Sequence, residues 1–189
     1  MKYKVLRRSD YVLQKLRIST IDDQYIQLIR EWRNNQINIL RQDKLISKDQ
    51  QIDYFNKKVF SLYESDLPEQ ILFNCFYEDQ FIGYGGIVHI SYEHKIGEIS
   101  FLLNPSILPG EYYESVFHLF LALMNHIAFE ELSLNKLFTE TFSSRMEHVP
   151  MLEKAGYERE GVRRSHLIIN GKTADIYLHG KLSTSLKSL

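Results

Sequence analysis

Apolar side chains recur along this chain at two periods, about two and about 3.6, and each change of period marks a change of element. Residues 12–18 (Val-Leu-Gln-Lys-Leu-Arg-Ile) predict a first strand. Thr20 or Asp22 then offers a cap for a helix gathering Tyr25, Ile26, Ile29 and Trp32 on one face. A second helix is predicted from its N-cap Ser47 to Leu62, with Ile52, Phe55, Val59 and Leu62 as the buried stripe. The polar stretch 34–45 connects the two helices, and Leu67-Pro68 closes the helical part.

Two β-rich runs follow, 71–77 and 81–90, joined by Glu78-Asp79-Gln80 as an antiparallel hairpin. A further strand, 96–103, alternates so that Gly97, Ile99, Phe101 and Leu103 share one side, and Ile96, Glu98, Ser100 and Leu102 the other, more polar one. After a loop with two prolines, 104–109, the longest helix is predicted over 110–132. Its broad apolar surface of Val116, Phe117, Phe120, Leu123, Met124, Ile127 and Ala128 calls for packing against a sheet. A strand at 136–142 and a helix at about 145–155, with Pro150 inside it, come next. Gly156 suits the left-handed position that closes a helix, and a hairpin of 162–169 and 173–181 turns at Asn170-Gly171. The order βααβββαβαββ predicts an α+β fold: a mixed sheet of about seven strands flanked by about four helices.

Composition narrows this picture. A chain of 189 residues with 44% apolar side chains suits one domain, with its core over about 12–181. The net charge of −1, from 23 basic and 24 acidic residues mixed along the chain, supplies no field for nucleic acid or an anionic membrane. No apolar run reaches the roughly 20 residues of a membrane-spanning helix, and residues 1–10 are charged where a signal peptide needs an apolar stretch. The expectation is a cytoplasmic protein, monomeric or homodimeric. Cys75 is the single cysteine, so no internal disulfide forms, and its neighbours Phe73, Phe76 and Tyr77 mark it as a buried hydrophobe. No histidine–carboxylate spacing suggests a metal site. His94/Lys95 and Arg163/Arg164 are expected as solvated turn or strand-edge charges.

Three motifs carry a family resemblance. Leu152-Glu153-Lys154-Ala155-Gly156-Tyr157 with Glu160-Gly161, Trp32-Arg33-Asn34, and Ile46-Ser47-Lys48-Asp49-Gln50-Gln51 resemble the GCN5-related N-acetyltransferase (GNAT) superfamily over about residues 14–181. They are similar in particular to the branch of ribosomal-protein N-terminal acetyltransferases and the amino-sugar N-acetyltransferases. The resemblance implies that the strands at 96–103 and 136–142 splay apart to admit acetyl-CoA. It implies that the pyrophosphate rests on the amino end of the helix beginning near Gly110, where free backbone N–H groups and the helix dipole favour an anion.

The resemblance also implies site residues. Phe101, Leu102 and Leu103 would line the coenzyme, with backbone N–H groups near the two leucines polarising the thioester carbonyl. Leu108 and Gly110 stand at the small positions of the phosphate loop, and Glu111 follows in the first helical turn. Only Gly110 matches the family's pattern. Pro105 replaces its glutamine or arginine, and Pro109 has no N–H to donate. Glu98 is the candidate general base, or else an exposed sheet carboxylate. Leu152 stands where many members have the tyrosine that protonates the thiolate, and His148 takes the place of the serine often found in the compared branch, which makes it the candidate acid, or else a partly buried helix histidine. Trp32, Arg33 and His89 are candidate acceptor contacts, Trp32 alternatively a core anchor, and Arg33 with Arg41 offers a clamp for a phosphate or carboxylate. The function implied is transfer of an acetyl group from acetyl-CoA to a primary amine of a small molecule, such as a nucleotide-linked amino sugar. Two alternatives stand beside it: a protein N-terminus as acceptor, or an inactive binding module of the same fold.

Overall fold

The computed structural model describes residues 2–107, 111–169 and 171–183. An eight-stranded sheet of order β1-β2-β3-β4-β5-β6-β8-β7 organises them. The strands are β1 (Asp10–Leu13), β2 (Leu16–Thr20), β3 (Ile71–Tyr77), β4 (Gln80–Ser91), β5 (Ile96–Leu103), β6 (Lys136–Phe142), β7 (Glu158–Ile169) and β8 (Lys172–Leu182). Four α-helices lie among the described residues: α1 (Ile26–Asn35), α2 (Lys48–Tyr54), α3 (Glu111–His126) and α4 (His148–Lys154). No described helix is long and apolar enough to cross a membrane. Every strand pair is antiparallel except β5 with β6.

The α+β prediction holds, with one strand more than expected. The run predicted as one strand is a hairpin folded at Gln14, whose φ of +53° lets β1 return on β2 with Leu13 opposite Leu16. No Gly or Asn announces that turn, and the apolar residues flanking Gln14-Lys15 read equally well straight through it. The second hairpin turns at Glu78 and Asp79, both at positive φ.

In α2 the cap is as expected, and of the expected stripe Phe55 and Val59 are buried while Ile52 is not. Ser47 and Gln50 form a reciprocal capping box. The inward face, however, is Gln51, Phe55, Val59 and Tyr63, whereas Ile52 is 43% exposed. A spacing of four throughout outruns the 3.6 residues of an α-turn, and a wide π-type turn over Phe55–Val59 absorbs the difference. The buried amide of Gln51 donates to the carbonyl of Ile26, which ties α2 to α1. At the far end of the chain Gly156, with φ +80°, closes α4 as expected. Its N–H reaches the carbonyl of Glu153, and that of Tyr157 reaches Leu152, which satisfies two terminal carbonyls.

Alternation along β5 sends successive residues to opposite faces. Phe101 packs on Phe117 and Phe120 of α3, while Glu98 is bonded to Arg41 in the connection after α1. The sheet therefore separates an α3/α4 side from an α1/α2 side. Cys75 is fully buried in β3, which pushes its thiol pKa up and leaves an inert side chain.

Candidate active site

The parallel pairing of β5 with β6 ends early. Ile96, Gly97 and Glu98 pair with Lys136, Leu137 and Phe138, after which residues 99–103 and 139–142 have no partner across the gap. A cleft of about 540 Å³ occupies this wedge. Ile99, Phe101, Thr139 and Thr141 line it from the α3/α4 side, with Phe117, Arg145, His148 and Leu152. Glu98 and Glu140 line it from the other side, with Arg33, Arg41 and His89. Because neighbours in one strand point to opposite faces yet line one cavity, the cleft passes through the sheet.

Glu98 sits at the apex, where the two strands part. It is only 9% exposed, so it is no free carboxylate on an open sheet face. Arg41 grips it with both terminal nitrogens, at 3.0 and 3.3 Å, and the same guanidinium also bonds Glu140 on β6. Arg163 reaches across from β7 to the other Glu140 oxygen at 2.7 Å. A chain of alternating charges thus spans the mouth of the wedge, and each partly buried carboxylate has a cationic partner. Arg163 stands half exposed on the edge strand β7, as expected of a strand-edge charge, and is engaged in this network as well.

His89 joins the network through a backbone irregularity. The β4–β5 register slips between Val88 and Ser91, and His89 takes a φ of +50°. The bulge aims the ring at Glu98, with Nε2 3.8 Å from Oε2, and leaves most of the side chain in solvent.

On the α3/α4 side, three groups converge. His148 Nε2 lies 2.6 Å from Tyr113 Oη and 2.7 Å from Arg145 Nη2, and Arg145 Nη2 also donates to Tyr113 Oη at 2.9 Å. Arginine can only donate, so Nε2 is the bare, accepting nitrogen of a neutral ring. Burial first, and the Arg145 charge second, push the His148 pKa down to about 3. A ring held neutral has no proton on Nε2 to give, which corrects its expected role as the acid. Burial likewise raises Tyr113 to about 12, against an opposing pull from Arg145.

The His148 shift has a consequence for stability. Its folded pKa lies below the unfolded value near 6.5, so the unfolded chain binds the extra proton as pH falls, and stability drops through the window from about 6.5 towards 3. Going from pH 7 to 5 is expected to cost about 2 kcal/mol through this residue alone. Urea unfolding of the protein and of His148→Gln at both pH values checks this: the substitution should flatten the pH slope, and parallel slopes would count against it.

The remaining expected contacts divide clearly. Phe101 lines the cleft, and Leu102 and Leu103 are buried beside it, the carbonyl of Leu103 accepting from Gln36 at 2.8 Å. Arg33 lines the cleft, its Nε donating to Gln42 and its Nη1 to Tyr84. Trp32 is a core residue instead of an acceptor contact: it is 6% exposed, stacks on Phe81 with ring centres 5.0 Å apart, and lies outside the cleft lining. Leu108 and Gly110 fall outside the described residues, as does the side chain of Glu111. Sequence reasoning misses Glu140, Arg145 and Tyr113. The signal for Glu140 is the polar Thr139-Glu140-Thr141 run inside a strand placed between two others. Among the described residues no cluster of three or more His, Cys, Asp or Glu could hold a metal ion.

Comparison with known proteins places this geometry. The description "Acetyltransferase (GNAT) domain" matches residues 18–178. Among solved structures, spermidine N-acetyltransferase from Vibrio cholerae in complex with CoA and spermine superposes with a TM-score of 0.77 at 18% identity, covering 90% of this chain and 96% of that one. The dodecameric spermidine N-acetyltransferase from the same organism in an intermediate state gives 0.76 at 17% identity, covering 93% and 98%. At such identities the structures establish the fold. With a family match over most of its length and a sheet that parts between β5 and β6, this chain belongs to the GNAT acetyltransferase family.

Proposed function

We propose that the protein transfers an acetyl group from acetyl-CoA to the primary amine of a small molecule, such as the nucleotide-linked amino sugars of the branch its motifs resemble. The single observation that carries this reading is the split between β5 and β6, with its cleft running through the sheet. Two strand edges without partners offer main-chain donors and acceptors to an extended pantetheine arm. Thr139 Oγ1 is buried at the cleft with no hydrogen-bond partner, a need that a ligand threaded there would meet. The residues present therefore fit acetyl-CoA, and a V. cholerae relative has been solved with CoA.

The thioester, when bound, supplies an acyl carbon open to attack and a thiolate that departs. The chain's own groups divide the work between the two faces. Glu98 accepts the proton of the incoming amine, directly or through a water, and Arg41 holds the carboxylate in place for it. His89, beside Glu98 and open to solvent, hands the proton on. On the opposite face the Arg145 guanidinium lines the cleft and would stabilise the departing thiolate by hydrogen bonding until solvent protonates it, while neutral His148 and buried Tyr113 orient that guanidinium as positioning residues. Arg41 lies across the mouth between Glu98 and Glu140, and this narrowing favours a small acceptor over an extended protein N-terminus. We assign the reaction to the cytoplasm, carried out by a monomer or homodimer.

Thermal unfolding in the presence of coenzyme tests the first half of the reading. At a CoA concentration near 100 times Kd, binding to the native state alone adds about 2.7 kcal/mol, a readily visible rise in Tm. Thiol release from acetyl-CoA that depends on added amine tests the second half. Absence of both with acetyl-CoA and longer acyl-CoAs would point to a binding module without turnover.

A further inference from the structure

A second cavity opens beside the first and shares Arg33, Arg41 and Tyr54 with it. It has a volume of about 480 Å³ and lies between α1, the connection that follows it, and α2. Three cations, Arg33, Arg41 and Lys44, line it against one acid, Asp43. Arg41 is already taken up by Glu98 and Glu140. Arg33 is bonded only by neutral oxygens, Tyr84 Oη and Gln42 Oε1, and Lys44 has no carboxylate partner among the described residues. A half-buried guanidinium with no counter-ion gains by receiving an anion, and its planar fork suits the paired oxygens of a carboxylate or phosphate. Tyr84 lines the same cavity, and its hydroxyl, which accepts from Arg33, keeps its own proton to donate.

From this arrangement we infer that the acceptor carries an anionic group besides its amine, and that Arg33 and Lys44 hold this group in the second cavity while the amine lies at Glu98. The inference rests on the acetyl-transfer reading and narrows its substrate class. It sets the chain apart from acetyltransferases of polyamines. A polycation would face Arg33 and Lys44, and of the three carboxylates lining the first cleft it would find Glu98 and Glu140 already neutralised by Arg41 and Arg163, with Glu69 alone unpaired among the described residues.

The test uses matched acceptors with the 189-residue protein. Glucosamine 6-phosphate against glucosamine is the phosphate arm, γ-aminobutyrate against butylamine the carboxylate arm, and spermidine the polycation. In at least one arm kcat/KM is expected to be about tenfold or more higher for the anionic member, mostly through KM, since one charge-assisted bidentate contact is worth about that much. Arg33→Gln and, separately, the exposed Lys44→Gln should each shrink that ratio about fivefold. Lys44→Gln keeps the test open if Arg33→Gln fails to fold. A preference for spermidine or for the neutral members, or a ratio that neither substitution moves, overturns the inference. Calorimetric titration of the same pairs measures binding without turnover: no preference for the anionic member that depends on Arg33 or Lys44 sinks the anion site. Failure of acetyl-CoA to raise Tm is a separate result and counts against the transferase reading itself.

Discussion

Glu98→Gln is expected to lower kcat about 10²- to 10⁴-fold while leaving the Kd for acetyl-CoA within about twofold. The substitution keeps the shape of the side chain and one of the oxygens that Arg41 grips, and removes the negative charge to which the proposed mechanism gives the amine's proton. Folding should survive it, because Arg41 retains Glu140 as an ionic partner and so is not left as a buried, uncompensated cation. The effect should therefore appear in the chemical step, with kcat and kcat/KM falling together. His89→Gln, largely in solvent and 3.8 Å from Glu98, should lower kcat more mildly. A Glu98→Gln enzyme with wild-type kcat would remove that carboxylate from the reaction, and the base would have to be sought in His89 or Glu140.

The largest effect on stability is expected at a position without chemistry. A Cβ placed on Gly86, in the interior strand β4, would lie 1.9 Å from the carbonyl oxygen of Ile71 and 2.9 Å from Leu72 Cα. Those are main-chain atoms of β3, which is itself held between β2 and β4, so neither side has a rotamer with which to retreat. Gly86→Ala should cost about 3 kcal/mol or more, at or beyond the upper end of ordinary overpacking, and lower Tm by about 10 °C for a chain of this size. Gly161→Ala is the control, since a Cβ there meets nothing within 4 Å. It should change stability by less than about 0.5 kcal/mol. Equal melting temperatures for the two variants would show that the tight approach of β3 to β4 is relieved at little cost.

Much of the fold is legible in the residues because it is written at short range. The strand 96–103, the strand 136–142, the Ser47 cap and the Gly156 closure each depend on alternation or on one special side chain, and each stands where expected. The hairpin at Gln14 escapes a sequence reading because the turn lacks its usual chemistry, and the α2 face because a π-type turn shifts the phase of the stripe. Of the site, the cleft position of Glu98, Arg33 and His89 could be anticipated from polar residues on strands and helix ends. The state of those residues could not.

Sequence alone determined that this chain forms a mixed sheet with covering helices, and its motifs pointed to the GNAT family, because local periodicity and capping specify elements and elements restrict topology. Only the tertiary structure decided what the charged groups do. Arg41 meets Glu98 and Glu140 from 57 and 99 positions away in the chain, and the bulge at His89 re-aims a ring that regular alternation would have turned elsewhere. The character of His148 was likewise decided by burial beside Arg145, which turns a residue that ordinarily titrates near neutrality into a fixed acceptor. Charge and protonation depend on desolvation and on partners brought together by folding, and neither distance nor dielectric is carried by the order of residues.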